Sequence, residues 1–528
     1  MLLPSLVTGN QQRDASFMAG TTSTYTISCF VIWLSWRIWR FTVRPWLEPR
    51  QPKEVPYIFP WIGSAISFFA DSGKTIYSGI KNRTRSVFAL HLAGDTIYVV
   101  TNPKDVSAVY KNTTTLAFDA FIGDLMLQCG ATQKTVQKMC QEPPPYASGL
   151  SNTGLNPKNK SLVKLAIDFH HQQLLSGPNA RDQEITQAFV ETIKELLTWD
   201  HISSQEGISA PAHCPTTSFD TSLLDFCGKV LIESGARTYW GPRLWELDAK
   251  SLQSFYALDK GMWKILFQYP KLFSQEVITI RDHITDVIAK YYRLPQSSRP
   301  GAAWFTSAME TESREAGLDE QEMAACIMII YFVINGNTYK FCFWALGHIL
   351  SDERLHADIR AEISSEGFSE PSLQHLTQSC PLLDSTLREV LRLYTSSASM
   401  RLVLEDTVLD DKVLLKGNKV MIPYRALHEN PDVWGPDAGS FDPRRFLKNR
   451  ALLRDASYRP FGGGATLCAG RFVAVAEVLS FIGAALHRYD FAWIAGQGFP
   501  EADTMKPTFG MMAPRDGHDF RVQVTRRQ

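Results

Sequence analysis

Net charge is the first thing this sequence lacks: 54 basic and 54 acidic side chains leave a formal charge of +0. No overall basic field exists to gather nucleic acid, and no basic patch interleaved with aromatics occurs. C-x-x-C is also missing. The nine cysteines, at 29, 129, 140, 214, 227, 326, 342, 380 and 468, are odd in number and irregular in spacing. That argues against a disulfide framework, a zinc site and covalent haem attachment, and it suits a reducing compartment. H-E-x-x-H is absent, and His170-His171 is the one adjacent pair among twelve histidines. Internal repeats and low-complexity tracts are absent too. A length of 528 residues allows roughly two to four domains, yet only one linker interrupts the chain.

That linker is Pro45, Pro49, Pro52, Pro56 and Pro60, ending at Trp61-Ile62-Gly63. Proline supplies stiffness there. Before it, Tyr25 to Phe41 is apolar and aromatic, and counting Thr22 to Val43 reaches the roughly 20 residues that span a bilayer. Arg37, Arg40 and Arg44 flank its C-terminal side, which places the bulk of the chain in the cytosol. A signal peptide fits less well, because a basic n-region and a small-residue cleavage site are missing. An interfacial helix is the other alternative. The expected organisation is a non-cytosolic tail over 1–23, an anchor over 24–44, a linker over 45–63 and one large domain over 64–528.

Within that domain, residues 87–100 alternate around Gly94-Asp95 and predict a β-hairpin. Asn102-Pro103 opens an amphipathic helix to Tyr110. Residues 118–158 read as irregular, with Pro143 to Pro145 at their centre. Helical patterns cover 160–200 (broken near Gly177-Pro178), 218–236, 251–293, 352–366 and 374–394; 201–216 is a surface loop. Residues 396–424 read as short strands. The strongest helical run is Asp319 to Leu350, acidic at its start and apolar on every side, as in a helix buried through a core. Asn335-Gly336-Asn337-Thr338 interrupts it. Such residues cost helix propensity, and they mark either a kink or an opening for a ligand and water. The fold class is therefore mainly α with a smaller β region.

One stretch carries the chemistry: Phe461-Gly-Gly-Gly-Ala-Thr-Leu-Cys468-Ala-Gly470. A glycine-rich loop delivers one cysteine to the start of an Ala-rich helix. Backbone N–H groups and the helix dipole there favour a thiolate. Three glycines let the backbone approach a flat partner. A thiolate in an apolar loop suits the axial ligand of a haem iron; an isolated cysteine is more often structural. Three other patterns decide between these readings. They are the broken helix at Asn335 to Thr338, E-x-x-R at Glu389 and Arg392, and F-x-P-x-R-F from Phe441 to Phe446.

In that order and at those separations, the four motifs resemble the eukaryotic, membrane-anchored cytochrome P-450 family, from the anchor nearly to the end of the chain. Asn337, Phe343-Trp344, Thr466 and Ser397-Ala-Ser399 with Arg401 are similar to the branch holding sterol 7-alpha- and 12-alpha-hydroxylases, oxysterol hydroxylases and prostacyclin synthase.

The resemblance implies the cytochrome P-450 fold and heme b, with Cys468 as the metal ligand and Phe461, Gly464 and Gly470 shaping its loop. Glu389, Arg392 and Arg445 are expected to form a buried structural network. Arg401 is expected to reach a haem carboxylate. Thr466 stands where most members carry a cation, and W-x-x-x-R is missing near 160–176; Lys160, His170 and His171 are the substitutes on hand. Thr338 and Asn337 are expected at the oxygen side, Thr338 relaying protons and Asn337 orienting water. Lys340 is expected to reach past the apolar wall to a polar edge. Ile330, Ile334, Ser397, Ala398, Phe509 and Met511 are expected to line an apolar substrate pocket.

The activity this implies is a monooxygenase in the endoplasmic reticulum membrane, its catalytic domain facing the cytosol. NADPH is used indirectly, through NADPH-cytochrome P-450 reductase. The substrate is a lipophilic terpenoid, sterol or polyketide-type scaffold of a secondary-metabolite pathway. The alternatives are a haem-thiolate isomerase or dehydratase that needs no reductase, and a non-enzymatic haem- or lipid-binding protein.

Overall fold

The computed structural model describes residues 25–81, 85–142, 153–177, 179–204, 217–364, 369–494 and 496–527. The N-terminal tail, Pro143 to Pro145, Pro178 and most of the 201–216 loop lie outside the described residues.

Residues 25–47 are helical, and Tyr25, Ile27, Phe30, Val31 and Ile32 are exposed. The linker does not stand free of this helix. Arg40 pairs with Glu54 at 2.7 Å, Trp33 donates to the Ile58 carbonyl at 2.9 Å, and Phe41 meets Tyr57 edge-on. Among the described residues, one run is long and apolar enough to cross a membrane. It is Glu320–Ser351, and it is mostly buried in the core.

The linker supplies the first strand of a six-stranded sheet: β1 Lys53–Glu54, β2 Phe88–Leu92, β3 Asp95–Val99, β4 Leu116–Ala117, β5 Ala398–Val403 and β6 Lys419–Pro423, in the spatial order β1-β2-β3-β6-β5-β4. The hairpin turn is Ala93-Gly94, one residue earlier than the sequence predicts, with φ of 50° and 101°. Positive φ at both positions matches the twist of the paired strands. Strand β5 brings distant residues to the site. Ser399, Arg401 and Val403 share its buried face, as the two-residue period requires.

The helices used below are α1 Pro103–Lys111, α2 Leu162–Leu174, α3 Ser251–Leu266, α4 Glu320–Asn335, α5 Thr338–Ser351, α6 Pro381–Tyr394 and α7 Arg471–Arg488. Asn102 caps α1, accepting from the Lys104 N–H at 3.0 Å with Pro103 at the first position. Asp319 and Glu322 close a capping box on α4. The Asp319 to Leu350 run is thus two helices, because Gly336 and Asn337 interrupt the hydrogen-bonded ladder. Trp240, Trp344 and Phe481 are fully buried around them.

Four stretches differ from the sequence reading. Residues 374–394 are two helices, Leu373–Gln378 and Pro381–Tyr394, with Pro381 opening the second. Residues 118–158 contain two helices, Ala120–Gln128 and Gln133–Cys140. Ser218–Ser222 is a strand, paired with Arg521–Arg526 across some 300 residues of chain, so the helix begins only at Leu223. Residues 251–293 are two helices separated around Pro270. In each, a tertiary partner or a local breaker overrides propensity.

Candidate active site

Cys468 sits three residues before Arg471, the first residue of α7. Its N–H donates to the Phe461 carbonyl at 3.0 Å, closing the glycine loop on itself. The side chain is open to a cavity of about 1470 Å³. Burial from bulk water pushes the thiol up; the Gly470 N–H, donating to sulfur, and nearby Arg471 act the other way.

The glycines meet a flat partner, but it is Tyr110. A Cβ on Gly463 or Gly464 would lie 2.8 or 2.9 Å from the Tyr110 ring. Gly464 also has φ +59° and does not line the cavity. Tyr110 in turn reaches the Tyr424 hydroxyl at 3.0 Å.

Behind the loop, Glu389 accepts from Arg392 at 2.7 and 2.8 Å and from Arg445 at 3.0 Å. The Glu389 and Arg392 side chains are completely buried. Arg392 also donates to the carbonyls of His428, Ala438 and Ser440, so it ties α6 to the turn-rich meander that runs from residue 428 to 446. Asp437 pairs with Arg445 at 2.9 Å. This second carboxylate balances the second arginine. It was missed in the sequence because a turn-forming aspartate carries no distinguishing signal there.

Arg401 is buried and donates to Ser399 Oγ, to the Met400 carbonyl and, at 2.7 Å, to Thr466 Oγ1. All three partners are neutral, and burial lowers the guanidinium pKa. Among the described residues no carboxylate hydrogen-bonds it. A buried cation without an anion is costly. Thr466 and Ser399 line the cavity beside it, so this is the place for an anionic group of a ligand. Of the other substitutes, Lys160 pairs with Asp168. His170 hydrogen-bonds Ala166 and lies against Phe305, and burial lowers it to about 4, leaving it neutral. His171 lines the cavity.

Thr338 and Glu477 line the same cavity as Cys468, and Thr338 Oγ1 donates to Glu477 Oε1 at 3.1 Å. Burial pushes the Glu477 carboxyl up to about 8, and the Thr338 hydrogen bond only partly offsets it. Glu477 escaped the sequence reading. Its signal was present: it is the one acid inside the apolar run of α7. Asn337 faces the cavity, but its Oδ1 accepts from the Met511 N–H at 2.9 Å. It thereby holds the loop carrying Phe509 and Met511. Gly510 makes room for it; a Cβ there would lie 2.0 Å from Asn337 Oδ1. Lys340 does not reach a polar edge. It is buried against Asp259 of α3, because an ammonium inside the core must find an anion. Ile330, Ile334, Ser397, Ala398, Phe509 and Met511 all line the cavity.

An apolar chamber, a thiol at a helix start and a buried guanidinium behind Ser399 and Thr466, with no carboxylate partner among the described residues, together fit a flat, dianionic macrocycle with a thiolate-ligated iron. The family model for cytochrome P450 matches residues 153–520. The chain belongs to the cytochrome P450 family. Cytochrome P450 monooxygenase nodJ of Hypoxylon pulicicidum is 24% identical over 91% of both chains. Human prostacyclin synthase is 24% identical over 90% of this chain and 94% of its own. Human 7-alpha-hydroxycholest-4-en-3-one 12-alpha-hydroxylase is 24% identical over 91% and 93%. The protein is a P450 monooxygenase related to the branch that the motifs indicated. Haem bound here would be held by Cys468 and Arg401 and would supply oxygen activation, which a thiolate ligand favours.

Glu477 gives a pH test. Its folded pKa lies above the ordinary 4.5, so the unfolded chain binds fewer protons between about pH 4.5 and 8. Stability therefore falls as pH rises through that window and levels off above it. Glu477→Gln is expected to flatten this slope, measured by denaturant midpoints across the window. An unchanged slope in the variant would show that Glu477 is not the group titrating.

Proposed function

We propose that this P450 takes electrons from an NADPH-dependent reductase and inserts one oxygen atom into a lipophilic terpenoid, sterol or polyketide-type scaffold, within a secondary-metabolite pathway. The hydrogen bond from Thr338 to Glu477 at the cavity wall carries this reading. A monooxygenase must receive protons at the oxygen side. Neutral Glu477 holds a proton in the dry interior. Thr338 Oγ1, both donor and acceptor, passes a proton toward the cavity and is replenished from Glu477. An isomerase has no use for such a pair. The similarity to prostacyclin synthase keeps that second reading in the test.

The lining supports a lipophilic substrate: it is mostly apolar, with Ser397, Gln128 and His171 among its polar groups. Relatives among fungal monooxygenases favour the pathway assignment. The cavity extends to Ile62, Ile66 and Phe267 to Pro270. Exposed Phe59, Trp61 and Ile66, with Leu272 and Phe273 across the mouth, make an apolar rim. Together with the 25–47 helix and its arginines, that rim supports a single-pass anchor in the endoplasmic reticulum, with the mouth at the lipid surface.

Purified holoenzyme reconstituted with reductase, NADPH and candidate lipophiles is expected to give product only when all components are present. Product formed at full rate from a peroxide or epoxide, without NADPH, would establish the isomerase instead. Glu477→Gln is expected to lower turnover by about 10²-fold, the range a positioned acid supplies, and to remove the decline in wild-type activity above about pH 8.

A further inference from the structure

Residues Asn337 to Lys340, at the break between α4 and α5, are bound to three separate parts of the fold. Asn337 holds the Met511 loop and Thr338 holds Glu477 of α7. Tyr339 and Lys340 both turn to Asp259 of α3. The Tyr339 hydroxyl donates to Asp259 Oδ2 at 2.7 Å, and Lys340 Nζ donates to Oδ1 at 2.9 Å. The Lys340 and Asp259 side chains are 8% and 7% exposed, and neither lines the cavity.

This pair is not explained by stability. A buried ion pair gains little over an apolar pair of the same size, and most of the residues that α4 and α5 bury are apolar. What it supplies is direction. Successive helical residues turn by about 100°, so Thr338 and Lys340 point about 200° apart around α5. One is held at Glu477 and the other at Asp259, on nearly opposite sides of the helix. Two such attachments fix the rotation of the first turn. The Asp259 carboxylate also lies beside the break itself, 3.6 Å from where a Cβ on Gly336 would stand. Asn337 makes no side-chain cap to α5, so the ladder alone does not define how α5 starts.

We propose that Lys340 and Asp259 are positioning residues for Thr338: the pair sets the rotation of α5 and thereby aims the Thr338 hydroxyl at Glu477 and the cavity. The proposal rests on the reading of Thr338 and Glu477 as the proton path.

The test uses full-length holoenzyme and carbon monoxide as the probe. The variants are Lys340→Met, the paired change Asp259→Leu with Lys340→Met, and Thr338→Val, alone and combined. The C–O stretching band of the ferrous complex reports the polarity next to the bound ligand. The wild type is expected to show one narrow band. Lys340→Met and the paired variant are expected to broaden or split it while the thiolate-type Soret band stays in place. On the Thr338→Val background neither change has any further effect, because the hydroxyl they aim is gone. Peroxide release by the reductase-fed enzyme is expected to rise about tenfold, within the roughly hundredfold that an ångström of misplacement costs.

The paired variant removes both charges, so it folds even where the single change leaves Asp259 buried and unpaired. A wild-type band in the paired variant overturns the proposal. So does a shift of equal size with valine at 338. A wild-type protein that forms no thiolate-type carbon monoxide complex overturns the haem reading itself, and this proposal with it; that result is distinct from either of the others.

Discussion

Cys468→Ser is expected to abolish the thiolate-type Soret band of the ferrous–CO complex and all monooxygenase turnover. Serine keeps the size of the side chain and the loop around it. Its hydroxyl stays protonated at neutral pH, so it cannot donate charge to iron as sulfur does. Haem is still expected to enter, because the apolar chamber and the unpaired Arg401 guanidinium remain. The measurement is therefore a change of spectrum at retained haem content. Among the described residues one other cysteine, Cys326, lines the same cavity. Burial pushes its thiol up to about 12, and neither an amide nor a cation acts against that. At Cys468 the Gly470 N–H and Arg471 do. If the thiolate-type band survives in Cys468→Ser, the assignment of the ligand is wrong, and Cys326→Ser is the variant to examine next.

Glu389→Gln is expected to cost about 3–5 kcal/mol of stability, the range for removing one member of a buried ionic group. Glutamine retains the shape and one acceptor oxygen. It removes the anion shared by Arg392 and Arg445, at 2.7 and 3.0 Å. Arg445 keeps Asp437, but Arg392 is left with carbonyls alone. Because these bonds join α6 to the meander, and the meander carries the chain to the cysteine loop, haem retention is expected to fall along with the denaturant midpoint. A variant that unfolds at the wild-type denaturant concentration would show that the carbonyls alone hold Arg392. A loss of stability with a normal spectrum at full haem content would place the network apart from the loop.

The motifs of this chain were legible because each rests on residue types that few other contexts use: a cysteine after glycines, an acid and an arginine one turn apart, a polar break in an apolar helix. Those local patterns carried the family and the helical class. The helix start at Asn102-Pro103 and the capping box at Asp319 are local in the same sense. Tertiary contacts decided the rest. Ser218–Ser222 becomes a strand only because Arg521–Arg526 arrives beside it. Tyr110 fills the space left by Gly463 and Gly464, and nothing within α1 announces that. Thr466, which lacks the usual charge, is bonded to Arg401 from a strand 65 residues earlier.

Glu477 shows the division most plainly. The sequence places an acid on an apolar helix face and no more. The fold puts that acid against Thr338, 139 residues away, and shuts out water. Its proton affinity at neutral pH is a property of that enclosure, because the solvation of a carboxylate depends on everything packed around it. Periodicity, caps and turn residues act within a few positions along the chain. Burial, charge pairing and the aim of a side chain are set by neighbours that meet only when the chain has closed.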